Sequence, residues 1–102
     1  MGNRLFSFKS PKDLCNYIRL NKEIFSQIII CEDVLVHTIY FYFTLNDGSF
    51  LGSYKKNYSD FYCYKKALIK LAKKINYCAT SYKGNSKTLI LTSYNAKWRC
   101  IN

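Results

Sequence analysis

Residues 38–74, TIYFYFTLNDGSFLGSYKKNYSDFYCYKKALIKLAKK, decide the fold of this chain. The stretch opens with apolar residues at every second position, namely Ile39, Phe41, Phe43 and Leu45. A period of two predicts a half-buried β-strand. Asn46-Asp47-Gly48 follows and is typical of a tight hairpin turn, because these residues tolerate a positive φ. With Ser49 to Tyr54 as the return strand, the sequence predicts a β-hairpin.

A basic amphipathic helix is predicted after the hairpin. Its apolar residues recur at intervals of three and four: Phe61, Tyr64, Leu68, Leu71, Ala72 and Ile75. Its lysines fall largely elsewhere on the helical wheel: Lys65, Lys66, Lys70, Lys73 and Lys74. This spacing predicts a helix that buries one face. The helix begins between Asn57 and Asp60, with Asn57 and Ser59 as alternative N-caps.

A second helix and a further strand are predicted before the hairpin. Residues 1–9 form an arm, and Ser10-Pro11-Lys12-Asp13 is a typical helix start, with Ser as the N-cap and Pro in the first turn. This helix ends near Asn21. Phe25 to Cys31 contains three consecutive isoleucines, which favour a strand. Residues 32–36 are either a loop or a continuation of that strand.

The composition changes after Tyr77. Residues 78–87 are predicted to form a loop, and Thr88 to Thr92 a short strand. We therefore divide the chain into an arm (1–9), a domain (10–77) and a C-terminal extension (78–102). The predicted fold class is α+β.

The net charge limits the classes of partner. The 102 residues include 16 Lys or Arg and 6 Asp or Glu, giving a formal charge of +10. Such an excess favours nucleic acid as the partner, with an anionic membrane surface second, although a lysine-rich surface alone also produces it. No apolar run is long enough to span a membrane, and the N-terminus lacks the apolar segment of a signal peptide.

Residues that support catalysis or metal binding are scarce. Five cysteines stand at long intervals without a CxxC pair, and His37 is the only histidine. The odd number and the spacing argue against a zinc site and against a disulfide framework, so we expect a reducing, cytoplasmic location. The six acidic residues form no pair suited to acid/base catalysis, and no Gly-rich phosphate loop is present. We predict a non-enzymatic protein without a cofactor or metal.

The order helix, three strands, helix over residues 11–76 resembles the double-stranded-RNA-binding domain. The first helix of that family carries a proline, a leucine and a tyrosine, as Pro11, Leu14 and Tyr17 do here. The family also has a glutamate five residues before a loop histidine, and Glu32 and His37 have that separation.

The resemblance continues through the hairpin and the second helix. The family has an aromatic residue four positions after the histidine, glycines in the turn and next strand, a Lys-Lys pair and a late Ala-Leu pair. The similar residues here are Phe41, Gly48, Gly52, Lys55, Lys56, Ala67 and Leu68. The resemblance implies a three-stranded antiparallel sheet with two helices on one face, and the C-terminal extension would add a short strand.

Binding of double-stranded RNA is the function that this resemblance implies. A-form RNA is recognised by shape, through minor-groove and phosphate contacts. Lys12, Asn16 and Arg19 would lie in one minor groove and His37 in a second. Lys55 and Lys56 would contact phosphates of the intervening major groove, near the N-terminus of the second helix. Small proteins of this type shield duplex RNA from silencing or innate sensing, and some are viral suppressors of RNA silencing.

Two other interpretations remain open at this point. Leu51-Gly52-Ser53-Tyr54, with Tyr64 and Ala67, resembles the last strand and helix of AP2 and integrase-type DNA-binding domains. Alternatively, the chain is a protein-interaction module, in which the strand at Thr88 to Thr92 or a sheet edge binds a protein partner or a second copy.

Overall fold

A computed structural model of the chain describes residues 8–33, 35–56, 61–82 and 87–93, without the side chains of residues 53, 55 and 56. Its helices and strands are α1 (Pro11–Leu20), β1 (Phe25–Asp33), β2 (Thr38–Leu45), β3 (Phe50–Lys56), α2 (Phe61–Ile75), β4 (Tyr77–Tyr82) and β5 (Lys87–Ser93). The strands form one antiparallel sheet in the order β3-β2-β1-β5-β4. The buried residues of both helices pack into one core with every second residue of the central strands. The α+β class is therefore confirmed.

α1 begins and ends where its capping residues predict. The Asp13 backbone N–H donates to Ser10 Oγ (3.2 Å), and the Asp13 carboxylate accepts from the Lys9 N–H (3.1 Å). Two of the amide groups at the helix start are thereby satisfied reciprocally, as in a capping box. Asn21 caps the other end. Between the caps, Leu14 and Ile18 are fully buried, so one stripe of the helix faces the core.

The predicted hairpin joins β2 to β3. Gly48 has a φ of 93° and donates its N–H to the Leu45 carbonyl (3.0 Å). The Asp47 carboxylate accepts from both the backbone N–H (2.9 Å) and the hydroxyl (2.6 Å) of Ser49. Asn46 Nδ2 donates to the Glu23 carbonyl (2.7 Å), which ties the turn to the connection between α1 and β1. The turn is therefore confirmed at the predicted residues.

α2 crosses the sheet from one edge towards the other. It follows β3 at one edge and precedes β4 at the opposite edge. The six residues of its predicted apolar stripe are all buried. Near the start of α2, the Tyr64 ring packs edge-on against Phe41 of β2 (5.3 Å between centroids). Asn76 ends the helix in the left-handed region (φ 66°), a conformation that asparagine tolerates well. The predicted N-caps of this helix lie outside the described residues.

The sheet has five strands instead of the predicted three, whereas the predicted order of a helix, three strands and a helix over residues 11–76 and the strand predicted at Thr88 to Thr92 are confirmed. The loop predicted at 78–87 is in large part β4, and the predicted boundary at residue 78 falls within that strand. β5 lies between β1 and β4, with Ile30 opposite Leu89. Residues 77–93, as far as the structure describes them, thus complete the sheet. β5, which contains the strand predicted at Thr88 to Thr92, is paired on both sides and offers no free edge to a partner. Among the described strands, only β3 and β4 lie at the edges of the sheet.

Aromatic rings fill the core between the sheet and α1. Tyr17 of α1 packs against Phe25 and Phe43, and Phe8 lies against Phe41 and Phe43, all with centroids 5.5–6.1 Å apart. Such tilted and edge-on pairs add to the hydrophobic stabilisation because ring edges and faces carry opposite partial charges. The sheet and its two helices therefore form two packed layers, and the outer surface of each layer is left for function.

Candidate nucleic-acid interface

The outer side of α1 carries three of the predicted RNA-binding residues. Lys12, Asn16 and Arg19 recur at intervals of four and three, opposite the buried stripe of this helix. Lys12 and Arg19 are exposed, and Asn16 is half-buried. Arg19 Nη2 donates to Asn16 Oδ1 (2.9 Å), which holds the guanidinium along the helix surface. The row presents two cations and an amide to solvent on one rigid element.

The turn between β1 and β2 carries the fourth predicted residue, His37. Its side chain is exposed and its φ is 49°, in the left-handed region. The neighbouring backbone is held by two short bonds: the Leu35 N–H donates to Asp33 Oδ1, and Thr38 Oγ1 donates to the Val36 carbonyl, both 3.0 Å. The imidazole therefore projects from a turn that is held by hydrogen bonds on both sides of His37.

Lys55 and Lys56 stand at the same end of the sheet as this turn. In the backbone register, Lys55 pairs with Ile39 and Lys56 with Thr38, which directly follows His37. Their side chains are outside the described residues. The backbone thus brings Lys56 beside the residue that follows the His37 turn, at one end of the sheet, while the row Lys12, Asn16 and Arg19 lies on the helix layer.

Other cations are distributed over the helix layer. Lys66, Lys70 and Lys73 are exposed along α2, and the Lys66 ammonium lies 5.4 Å from the centre of the exposed Tyr62 ring. Lys87 pairs with the buried carboxylate of Glu32 (3.8 Å). The positive charge is therefore not confined to the predicted site, and a test of that site needs a charge-matched control on α2.

A second surface, not anticipated from the sequence, lies on the other side of the sheet. We call this side the open face; its large apolar and aromatic side chains are Ile29, Tyr40, Tyr42, Phe50, Tyr54, Tyr82 and Ile90. None of these side chains is fully buried, and Phe50 is 69% exposed. Tyr40 and Tyr42 alternate with core residues of β2, and that alternation was the available signal. By itself, the alternation indicates only that these residues are the outward positions of a half-buried strand.

The described residues offer little for metal or thiolate chemistry. They contain no cluster of three or more His, Cys, Asp or Glu side chains that would hold a metal ion. Cys15, Cys31, Cys63 and Cys78 form no disulfide bond, and none is fully buried. Burial raises the pKa of Cys15, an effect that the Arg19 charge partly offsets, and burial also raises the pKa of Cys31. Both thiols are therefore weak nucleophiles at neutral pH.

Neither α1 nor α2, the helices in the described part of the chain, is long and apolar enough to cross a membrane. Comparisons of the chain with family models, with curated proteins and with solved structures find no significant match.

Proposed function

We propose that this protein binds double-stranded RNA without catalysing a reaction, through contacts to phosphates and 2′-hydroxyl groups. The observation that carries the proposal is the solvent-facing row Lys12–Asn16–Arg19 on α1, in a chain of net charge +10. The helix layer that bears this row comes from residues whose order and spacing resemble the double-stranded-RNA-binding domain. A cytoplasmic location and a role in shielding duplex RNA belong to the same proposal.

The shape of A-form RNA supports this proposal. Its major groove is deep and narrow, whereas its minor groove is shallow and exposes 2′-hydroxyl groups. A single helix with short and long polar side chains fits such a shallow groove, where Asn16 offers both a donor and an acceptor. The His37 turn supplies a second contact at a distance along the duplex. Phosphate contacts from Lys12 and Arg19 would strengthen binding without reading the base sequence.

Duplexes of matched length test this proposal. We expect the affinity for duplex RNA to rise with length and to depend little on sequence, and duplex DNA to bind more weakly because it lacks 2′-hydroxyl groups. Fluorescence anisotropy with labelled duplexes at several salt concentrations measures both. Equal affinity for duplex DNA would contradict the RNA proposal and favour the AP2-like alternative or simple attraction between charges.

Substitution on α1 localises the site. Lys12→Ala with Arg19→Ala removes two exposed cations, and Lys70→Ala with Lys73→Ala removes two exposed cations from α2 as the matched control. Loss of two phosphate contacts would lower the slope of log K against log salt by about two units. The α2 control should leave the slope nearly unchanged. An equal loss in both variants would mean that binding follows net charge alone.

A further inference from the structure

The open face is an aromatic surface that no part of the described chain covers. Tyr42 of β2 is 39% exposed and Tyr54 of β3 is 44% exposed. These two strands lie at one edge of the sheet. The rings of Tyr40 and Tyr42 are nearly parallel, with centroids 6.2 Å apart and 10° between their planes. The Tyr54 ring lies 6.5 Å from that of Tyr40 on the neighbouring strand. Three tyrosine rings thus lie side by side on the open face, each at least partly exposed to solvent.

Gly52 leaves a gap between the side chains of Phe50 and Tyr54 on β3, and we call this gap the recess. It is the register partner of Tyr42, and Phe50 and Tyr54 stand two positions away on the same strand. Side chains two apart on a strand share a face, so three aromatic residues border the position where Gly52 has none. A Cβ built at Gly52 would meet Tyr42 Cδ1 at 3.7 Å, an ordinary contact distance. The Tyr42 ring therefore lies next to the Gly52 backbone, and position 52 contributes no side chain that would cover it.

The net charge of the protein indicates which class of ligand the recess can bind. An aromatic recess binds cationic groups or flat rings. A net charge of +10 repels a cationic ligand, and it also opposes the close approach of a second copy with the same charge. An anionic chain that carries flat aromatic groups satisfies both requirements. Single-stranded nucleic acid has this chemistry, since each nucleotide joins a phosphate to a base with two stacking faces.

We propose that the open face binds single-stranded nucleic acid by stacking unpaired bases on Tyr40, Tyr42 and Tyr54, with one base seated over Gly52. Burial raises the pKa of Tyr42, and the neighbouring Cys31 and Tyr40 add to this effect, so the phenol stays neutral and does not repel phosphate. Stacking needs no 2′-hydroxyl group and tolerates any base. Single-stranded RNA and DNA of equal length should therefore bind with similar affinity.

Gly52→Val is the sharpest test, because it removes neither a charge nor a ring. Gly52 has no positive φ, and a β-branched residue favours a strand, so the variant should be at least as stable as the wild type. The Val methyl groups would fill the recess and contact the Tyr42 ring. With a labelled single-stranded oligomer of about eight nucleotides, we expect Kd to rise roughly tenfold, the loss of one stacked base. The slope of log K against log salt should stay the same because no phosphate contact is lost.

Ring substitutions supply the controls. Tyr54→Leu should weaken binding by a similar factor, whereas Tyr62→Leu, which removes an exposed ring from the helix layer, should leave the affinity unchanged. Wild-type affinity in Gly52→Val, or equal losses in the two tyrosine variants, would overturn the proposal. It would also be overturned if Gly52→Val abolished self-association in sedimentation or binding to anionic vesicles while oligomer binding persisted. The Lys12 and Arg19 variant should keep its single-strand stacking, so this result and the duplex result are separable.

Discussion

On β2, Phe41 and Phe43 face the helices and are buried, whereas Tyr40 and Tyr42 lie one residue away and reach the opposite surface. The same strand thus contributes rings to a packed core and rings to a solvent-facing surface. The distinction arises because successive side chains of a strand point to opposite faces of the sheet. Ring content alone therefore does not reveal which aromatic residues stabilise the fold and which remain available to a partner.

The charges divide in the same way. The exposed lysines with described side chains lie on the helices, on the segments next to α1 or at the start of β5, while the open face has no described Lys or Arg side chain. The helix layer therefore suits contacts with phosphates, and the open face suits contacts with rings. If both proposals hold, the two faces recognise different parts of a nucleotide.

The largest contrast between the faces should appear in stability. Phe43→Ala removes a fully buried ring and should lower the free energy of unfolding by about 3–5 kcal/mol. Tyr42→Ala, at the next position, removes a partly exposed ring and should cost about 1 kcal/mol or less, as surface substitutions do. Urea denaturation followed by circular dichroism measures both. Similar losses would mean that the open face is part of a core, and the comparison of the two faces would fail.

A smaller effect, on the affinity for duplex RNA, distinguishes direct phosphate contacts from general attraction by the net charge. Replacing Lys55 and Lys56 with Ala should weaken binding to duplex RNA roughly thirtyfold at physiological salt if each lysine contacts one phosphate. The Lys70→Ala, Lys73→Ala variant removes the same charge and should lose only long-range attraction at low salt. Titrations with one duplex at several salt concentrations compare the two variants. Equal losses would show that these lysines act only through their charge.

The smallest expected loss of stability comes from removing the hydroxyl through which Tyr77 of β4 contacts the backbone at the start of β1. The Tyr77 hydroxyl lies within hydrogen-bond distance of the Lys22 (2.8 Å) and Phe25 (2.6 Å) carbonyl oxygens, which share its single proton. Tyr77→Phe should therefore lower the free energy of unfolding by about 1 kcal/mol at pH 7. The loss would show that β4 stabilises the start of β1 from a position far along the chain.

The raised pKa of Tyr77 predicts that the free energy of unfolding falls at alkaline pH. Burial, with a smaller contribution from the Glu23 carboxylate, raises the pKa of Tyr77 to about 12 in the folded state. An unfolded tyrosine has a pKa of about 10. The folded state holds this proton more tightly, so its stabilising contribution is complete below about pH 10 and is lost as the pH rises towards 12. The difference in stability between wild type and Tyr77→Phe should shrink over that interval; a constant difference would contradict the burial argument.

Local sequence predicted the elements whose determinants lie within a few residues. Ser10 and Asp13 predicted the start of α1, and Asn46-Asp47-Gly48 predicted the hairpin, because capping and turn geometry depend on neighbouring side chains. The apolar spacing of α2 also predicted its buried face in full. The three polar positions on the outer side of α1 follow from the same periodicity. Their role in binding stays a prediction.

Only the tertiary structure decided the five-stranded sheet and its open face. β4, YCATSY, has one buried residue, Tyr77, and therefore lacks the alternation that indicates a strand. It forms because β5 offers it an edge, and β5 in turn pairs with β1 at positions some sixty residues earlier, such as Leu89 with Ile30. Gly52 likewise becomes a recess only when Tyr42 and the rings of β3 surround it. Such long-range pairings depend on residues that are distant in the chain, so a reading based on local periodicity could not find them.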